Sequence, residues 1–298
     1  MDRLQSLEVF IAVAEEGGFA GAARRLGLSA PSATRGVNAL EARLGTRLFS
    51  RTTRQVHLTD VGETYLEEAR HILGLLQSAD DAAAGAATRP HGRLRITCPN
   101  EFGRIHVMPV VTGYLDTYPE VSADIVMIDR IVNIVEEGFD IAVRIGPLQS
   151  SGLTAVRIGQ VRRVVCAAPA YLAEIGTPQT PQDLHDHRVI SAGPVGPLPD
   201  WRFGGDRPAT VRIASRLAVS NIAAGIEVAC QGWGLCRALS YQVAPHVEAG
   251  TLRAVLEEYE PDPLPVHLVH VEGRRAAAKV RSFLDYAAPR LRALPVLA

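Results

Sequence analysis

Five residues between Pro31 and Asn38 carry side chains suited to reading a nucleic acid. At the helical period, Pro31, Arg35 and Asn38 fall on one side of a short helix, with Ser32 and Thr34 at their flanks. Arg35 can donate two parallel hydrogen bonds to a guanine edge in a major groove. Ser32, Thr34 and Asn38 suit base edges or phosphates, and Pro31 suits a thymine methyl. Ser29 and Ala30 open the same helix, and Arg51, Thr53 and Arg54 share a basic tip further on that would sit over phosphates or a minor groove. The competing reading is a solvated polar face on an ordinary helical hairpin, because a helix-turn-helix pattern alone is degenerate.

Such a face needs a helix with an apolar back. Ala33, Val37, Leu40 and Leu44 recur at helical steps and supply one. Ser29 is a suitable N-cap, and Pro31 falls in the first turn, where a missing N–H costs little. Upstream, Leu4, Leu7, Phe10, Ile11 and Ala14 predict a first helix that ends at Gly17 and Gly18, and Ala20 to Leu26 a short second one. Downstream, Arg47 to Ser50 and Gln55 to Leu58 read as two β pieces around the basic tip. Three helices and a small hairpin make a winged helix-turn-helix over residues 1–58. Residues 59–89 hold one long helix, from Asp60 to about Ala87, with a seam of Tyr65, Ala69, Ile72, Leu76, Ala79 and Ala83. A lone helix cannot bury a heptad seam, so it packs either on the body or on a second copy.

Beyond the linker "TRPHG" the rhythm becomes "RLRITC", "HVMPVVTGYLDTYP", "SADIVMI", "RIVNIVEEG" and "FDIAVRIG": strand, helix, strand, helix, strand. Alternation of this kind predicts βαβ units and a parallel sheet, hence an α/β domain over 90–298. "SNIAAGIEVACQGWGLC" repeats helix then strand further along, and Trp201 reads as core.

Charge separates the same regions. Residues 1–58 carry eight arginines against five acids, residues 59–89 two arginines against six acids, and the remainder is balanced, within a net charge of −1. A basic head on a neutral body fits phosphate contact confined to one end. Neither a leader nor a membrane span is legible, which predicts a cytoplasmic protein. Cys98, Cys166, Cys230 and Cys236 follow no metal-ligand spacing, and "HDH" at His185 and His187 has no partner at a zinc-like interval, so no metal or other cofactor is expected.

From "FIAVAEEGGFAGAARRLGLS" through "ALEARLGTRLFSRTTR" to "LTDVGE", the first region resembles the LysR-type transcriptional regulators almost throughout. The likeness continues through "GRLRIT", "YPEV", "VEEGFDIAVRIG" and "AAPAYL", which match the effector-binding domain common in that family. The resemblance implies a homodimer or homotetramer joined by linker helices, a DNA operator and RNA polymerase as partners, and a two-lobed domain, like periplasmic binding proteins, that senses a small molecule. Lobe I would span about 90–164 and 268–298, lobe II about 165–267.

Ligands of open sheets lie beyond the carboxyl ends of parallel strands. That rule singles out Asn100, Glu101 and Phe102 in "CPNEFG", Arg144 closing "FDIAVR", and Ser220 and Asn221 in "VSNIAAG"; Asn100 and Ser220 could equally be helix caps. Relatives of this type usually carry serine or threonine where Glu101 stands, and a carboxylate there would repel anions. A neutral or cationic effector follows, or one whose acid group is taken by Arg144. An enzyme is the first rival, yet Ser220, Asp129 and His270 are scattered without a supporting signature. A thiol redox sensor is the second, but Cys98, Cys166 and Cys236 sit in apolar strand contexts.

Overall fold

Asp2 starts the fold by accepting a hydrogen bond from the Gln5 amide, and helix α1 (Arg3–Glu16) follows until Gly17 turns left-handed. A computed structural model describes residues 2–51, 56–84, 89–148, 152–193, 200–205, 208–271 and 277–298, with backbone alone at Arg51 and at 71, 75, 77–79 and 81–84. The chain divides into two units, Met1–Thr88 and Arg89–Ala298.

In the first unit, α2 (Phe19–Arg25) and α3 (Ala30–Leu44) pack on α1 around Leu7, Phe10, Val13, Ala33, Val37 and Leu40. Ser29 caps α3 as expected, accepting from the Ser32 amide. The apolar stripe is one residue shorter than its periodicity predicts: Leu44, in the last turn before Gly45, is 38% exposed because the core ends beneath Leu40. Strands β1 (Phe49–Arg51) and β2 (Val56–Leu58) pair antiparallel, Phe49 opposite Leu58.

Helix α4 (Asp60–Ala84) is fastened at its start. The Thr59 hydroxyl donates to the Arg47 carbonyl (2.8 Å) and accepts from the Gly62 amide (3.0 Å). A Cβ on Gly62 would stand 2.1 Å from the Leu48 carbonyl oxygen, so only glycine fits there. Tyr65 lies 5.6 Å from the Phe10 ring, and Ala69 is wholly buried in the same core. The first two seam residues are therefore used inside the unit, which a period cannot reveal because it names a face and not its partner. Ile72 and Leu76 stay exposed, and the side chains of Ala79 and Ala83, like the last turn toward Ala87, lie outside the described residues.

The second unit begins with β3 (Gly92–Cys98), the one-turn α5 (Asn100–Phe102), α6 (Met108–Thr117), β4 (Val121–Met127), β5 (Ile141–Ile145) and β6 (Thr154–Val161). After the single residue Arg162 come β7 (Arg163–Ala167), α7 (Pro169–Ile175), β8 (Val189–Ala192), β9 (Trp201–Phe203), β10 (Ala209–Val211), β11 (Leu217–Val219), α8 (Ile222–Cys230), β12 (Leu235–Leu239), α9 (Ser240–Glu248) and β13 (Arg253–Val255). The chain then returns through β14 (Leu264–His270) to α10 (Ala278–Arg292).

Two five-stranded sheets result, ordered β4-β3-β5-β14-β6 and β11-β8-β12-β7-β13. Both are mixed rather than purely parallel: β14 runs antiparallel to β5 and β6, and β7 antiparallel to β12 and β13. Arg163 begins β7 and Leu264 begins β14, the strands on either side of the chain's passages between the two sheets. The segment "RIVNIVEEG" is a set of turns, not a helix. Asn133 accepts the Val135 and Glu136 amides with its own side chain, and Gly138 ends the segment at φ 66°. Ser240 and Glu260 secure the crossing: the Arg162 amide donates to the Ser240 hydroxyl (3.1 Å), and its guanidinium pairs with Glu260 (2.8 Å). Among the described residues, no helix is long and apolar enough to cross a membrane.

Candidate functional site

The outer face of α3 forms a continuous polar strip. Ser29, Ala30, Pro31, Arg35 and Asn38 are exposed, while Ser32 and Thr34 are half-buried. The Ser29 and Ser32 hydroxyls lie 2.8 Å apart, and Arg35 Nη2 donates to Ser32 Oγ at 3.0 Å. This line leaves four of the five guanidinium N–H groups of Arg35 free to meet an acceptor. Thr34 donates back to the Ala30 carbonyl (3.0 Å), so its hydroxyl remains an acceptor only. Glu41, on the inner side, accepts the Leu48 and Phe49 amides at 2.9 and 3.1 Å and fixes where the hairpin leaves the helix. Arg51 contributes backbone to β1, and Thr53 and Arg54 lie outside the described residues.

Glu15 ties the helices behind that face together, pairing with Arg25 on α2 (2.7 Å) and Arg70 on α4 (2.9 Å). Burial pushes its carboxyl up, but the hydrogen bonds from Arg25 and Arg70 outweigh this and hold it below the usual value.

The second unit holds a cleft of about 240 Å³ at the carboxyl ends of the parallel strands β11, β8 and β12. Asp129, Arg163, Ser191, Ser220 and Arg237 line it together with Gln242. Arg237 stacks 4.5 Å over the Trp201 ring, which belongs both to the lobe II core and to the cleft wall. Burial, and then the neighbouring charge of Arg163, pull the Arg237 guanidinium down to about 10; burial lowers Arg163 too. Asp129 is oriented by Asn100, whose backbone and side-chain amides donate to it at 3.0 and 2.8 Å. At the rim, a Cβ on Gly225 would come within 2.8 Å of the Ala192 Cβ, so glycine lets α8 press against the end of β8. Among the described residues, no group of three or more His, Cys, Asp or Glu side chains is placed to hold a metal ion.

Two family models together span this architecture. The bacterial regulatory helix-turn-helix domain of the lysR family matches residues 4–63, and the LysR substrate-binding domain matches residues 87–292. The chain belongs to the LysR-type transcriptional regulators. Among LysR-type relatives, the HTH-type transcriptional regulator PtxR of Pseudomonas aeruginosa is 32% identical over 283 residues, 95% of this chain and 91% of that one. The LysR-type regulator CrgA of Neisseria meningitidis matches at TM-score 0.62 with 28% identity, over 98% of this chain and 99% of its own. Vibrio cholerae AphB, a virulence activator, shares the fold at TM-score 0.62 and 24% identity over 96% of this chain and 98% of its own. This LysR-type chain is thus a DNA-binding transcriptional regulator with an effector-binding domain.

Of the pocket residues expected in this LysR-type sensor, Ser220 alone lines the cleft. Asn100 acts one step back through Asp129, and the cap of α8 is Asn221, not Ser220, accepting from the Ala224 amide. Phe102 is fully buried, edge-on to Tyr241 at 5.3 Å. Arg144 turns away to donate to the Val132 carbonyl. Glu101 is absent from the lining and neutralised by Arg104 at 2.7 Å, which removes the ground for expecting it to repel an anionic effector. Sequence reasoning missed Arg163, Ser191, Arg237 and Gln242. The available signal was an arginine inside an otherwise apolar strand, in "RRVVCA" and again in "LCRAL". Burial pushes the Cys98 and Cys236 thiols up to about 12 and raises Cys166 and Cys230 as well, the opposite of the thiolate character that a redox switch requires.

Proposed function

We propose that this regulator reads a double-stranded operator with the outer face of α3, Arg35 meeting a guanine edge while Ser29, Ala30, Pro31, Ser32, Thr34 and Asn38 serve neighbouring bases and phosphates. Arg51, Thr53 and Arg54 on the wing contact phosphates. Residues 1–58 form the reading head, 59–89 the pairing helix and 90–298 the sensor. Two copies join through α4, by Ile72 and Leu76 with Ala79 and Ala83 beyond them. A small effector enters the cleft between the lobes and biases the affinity of the paired heads. RNA polymerase is the partner at the promoter, the cytoplasm the setting, and no reaction is catalysed.

The observation that carries this reading is the Ser29–Ser32–Arg35 line, which holds a guanidinium outward on an exposed helix face. Operators from genome-wide mapping, titrated by mobility shift at several salt concentrations, test it. Arg35→Ala is expected to lose roughly 1–3 kcal/mol of discrimination while weaker general binding survives. Arg54→Ala is expected to weaken specific and random DNA alike and to make the salt dependence shallower. Unchanged operator preference in Arg35→Ala would remove it from the recognition face.

A further inference from the structure

Strand register brings two arginines together at the mouth of the lobe II core. Arg237 on β12 stands opposite Val165, and Leu239 opposite Arg163. Arg163 and Arg237 therefore project from the same face of adjacent antiparallel strands, one diagonal step apart, a separation of about 7–8 Å or less between their Cβ atoms. On β8, which runs parallel beside β12 with Ile190 opposite Cys236, Ser191 is the next residue on that face. Deeper along this face lie Val165, Ala167, Val189 and Leu235, all buried. The charges thus stand at the rim of an apolar floor.

Neither guanidinium has a carboxylate partner among the described residues. The cation–π contact to Trp201 and a 3.5 Å approach to the Arg202 carbonyl are the interactions of Arg237. Glu260, nearby in sequence terms to the return strand, is taken by Arg162. Two half-buried cations side by side on one wall of a cleft repel, and an anion seated against both relieves that repulsion while filling their outward N–H groups. Asp129 is the acidic residue of the opposite wall, and Asn100 already occupies part of its acceptor capacity. A dianion spanning the cleft would meet Asp129 with its second charge. A hydroxyl or amine there would find an acceptor instead.

We propose that Arg163 and Arg237 clamp the carboxylate of a small organic acid, whose remainder turns a hydrogen-bond donor toward Asp129. This rests on the reading of the cleft as the effector site and names the chemistry that the site selects. Ser191, Ser220 and Gln242 supply neutral hydrogen bonds around the clamped group. The volume, about 240 Å³, lies below the roughly 300–1,000 Å³ of pockets for drug-sized ligands, so the acid is of metabolite size.

Thermal unfolding and calorimetric titration of the full-length protein test the clamp with sodium sulfate, lactate, para-hydroxybenzoate and the two corresponding amides. Sulfate and at least one acid are expected to stabilise the wild type, and the matching amide is not. Arg163→Gln and Arg237→Gln are expected to bind the acid roughly 10–100-fold more weakly, the loss of a charge-assisted hydrogen bond, with Arg237→Lys intermediate. Arg237→Lys keeps the test open should a glutamine variant fail to fold. Binding of sulfate alone would make the site one for inorganic anions and overturn the organic-acid assignment. So would an amide that binds as well as its acid, a wild type that no anion stabilises, or variants that respond as the wild type does. Operator affinity measured in parallel separates the two readings. An acid lost with the arginines but without influence on DNA binding leaves the clamp and removes the effector role; a compound that alters DNA binding equally in wild type and Arg237→Gln does the reverse.

Discussion

The reading face and the cleft are built on opposite plans. All seven helix residues of the reading face fall between Ser29 and Asn38, on one helix whose periodicity alone decides which side they occupy. The cleft collects Asp129, Arg163, Ser191, Ser220, Arg237 and Gln242 from three strands, two loops and helix α9, spread over more than a hundred residues. One guanidinium in the head is steadied by a serine three residues earlier; those in the cleft are brought together by strand pairing. A local site needs only a helix, whereas a topological site needs the whole sheet order to be right.

That contrast predicts how each unit fails. The largest effect is expected from Gly62→Ala, whose added methyl group meets the Leu48 carbonyl at 2.1 Å and must push α4 away from the start of the hairpin. The first unit is expected to lose about 3 kcal/mol of stability, while the second, which shares none of that packing, unfolds as before. Differential scanning calorimetry would show the first unit's transition moving; an unmoved first transition would mean that α4 takes the added methyl group without displacement.

A charge on the outer side of α4 is expected to act on assembly instead of folding. Ile72 and Leu76 are 39% and 40% exposed, so glutamate is tolerated at both in an isolated unit but not against a second copy. In the double variant Ile72→Glu, Leu76→Glu, light scattering is expected to show dissociation. Operator affinity should fall by about 100-fold as the second head loses its effective concentration, with cleft ligands still bound. A variant that remained paired would place the seam elsewhere.

The smallest effect concerns Glu15. Its carboxyl is held below its ordinary value in the folded unit, so its contribution is complete above that ordinary value and disappears as pH falls through the lowered one. Because the pairs are partly solvated, the contribution is under about 1 kcal/mol. Glu15→Gln is expected to lower the first transition at pH 7 by a degree or a few, with the gap from wild type narrowing as acidification protonates the carboxyl, checked by melting curves from pH 7 downward. A gap that stayed constant as the pH fell would mean that the carboxylate charge is not what ties α1 to α2 and α4.

The same contrast explains what could be read from residue order. Ser29 as cap, Pro31 in the first turn and the outward Arg35 all follow from rules that operate within ten residues, and each is found where those rules put it. Leu44 departs because a period does not state where the neighbouring helix stops. "RIVNIVEEG" departs because the Asn133 side chain competes for the amides that a helix would use. The strand-end rule led to Ser220, which lines the cleft after β11, but its candidates in the first sheet stay off the lining. It could not find Arg163 and Arg237, since their meeting depends on β7 lying antiparallel beside β12. Glu101 shows the converse hazard: its position in a loop was legible, but its pairing with Arg104 depends on a side-chain geometry that only the fold displays.

The crossing at Arg162 gives this arrangement a mechanical character. One residue separates β6 from β7, and its guanidinium is bolted through Glu260 to the returning chain, so Arg162 is an axle between the lobes, beside the contact of Tyr241 with Phe102. Arg163 is the first residue beyond that axle. Whatever occupies the cleft against Arg163 therefore touches the residue adjoining the point where the chain passes from one lobe to the other.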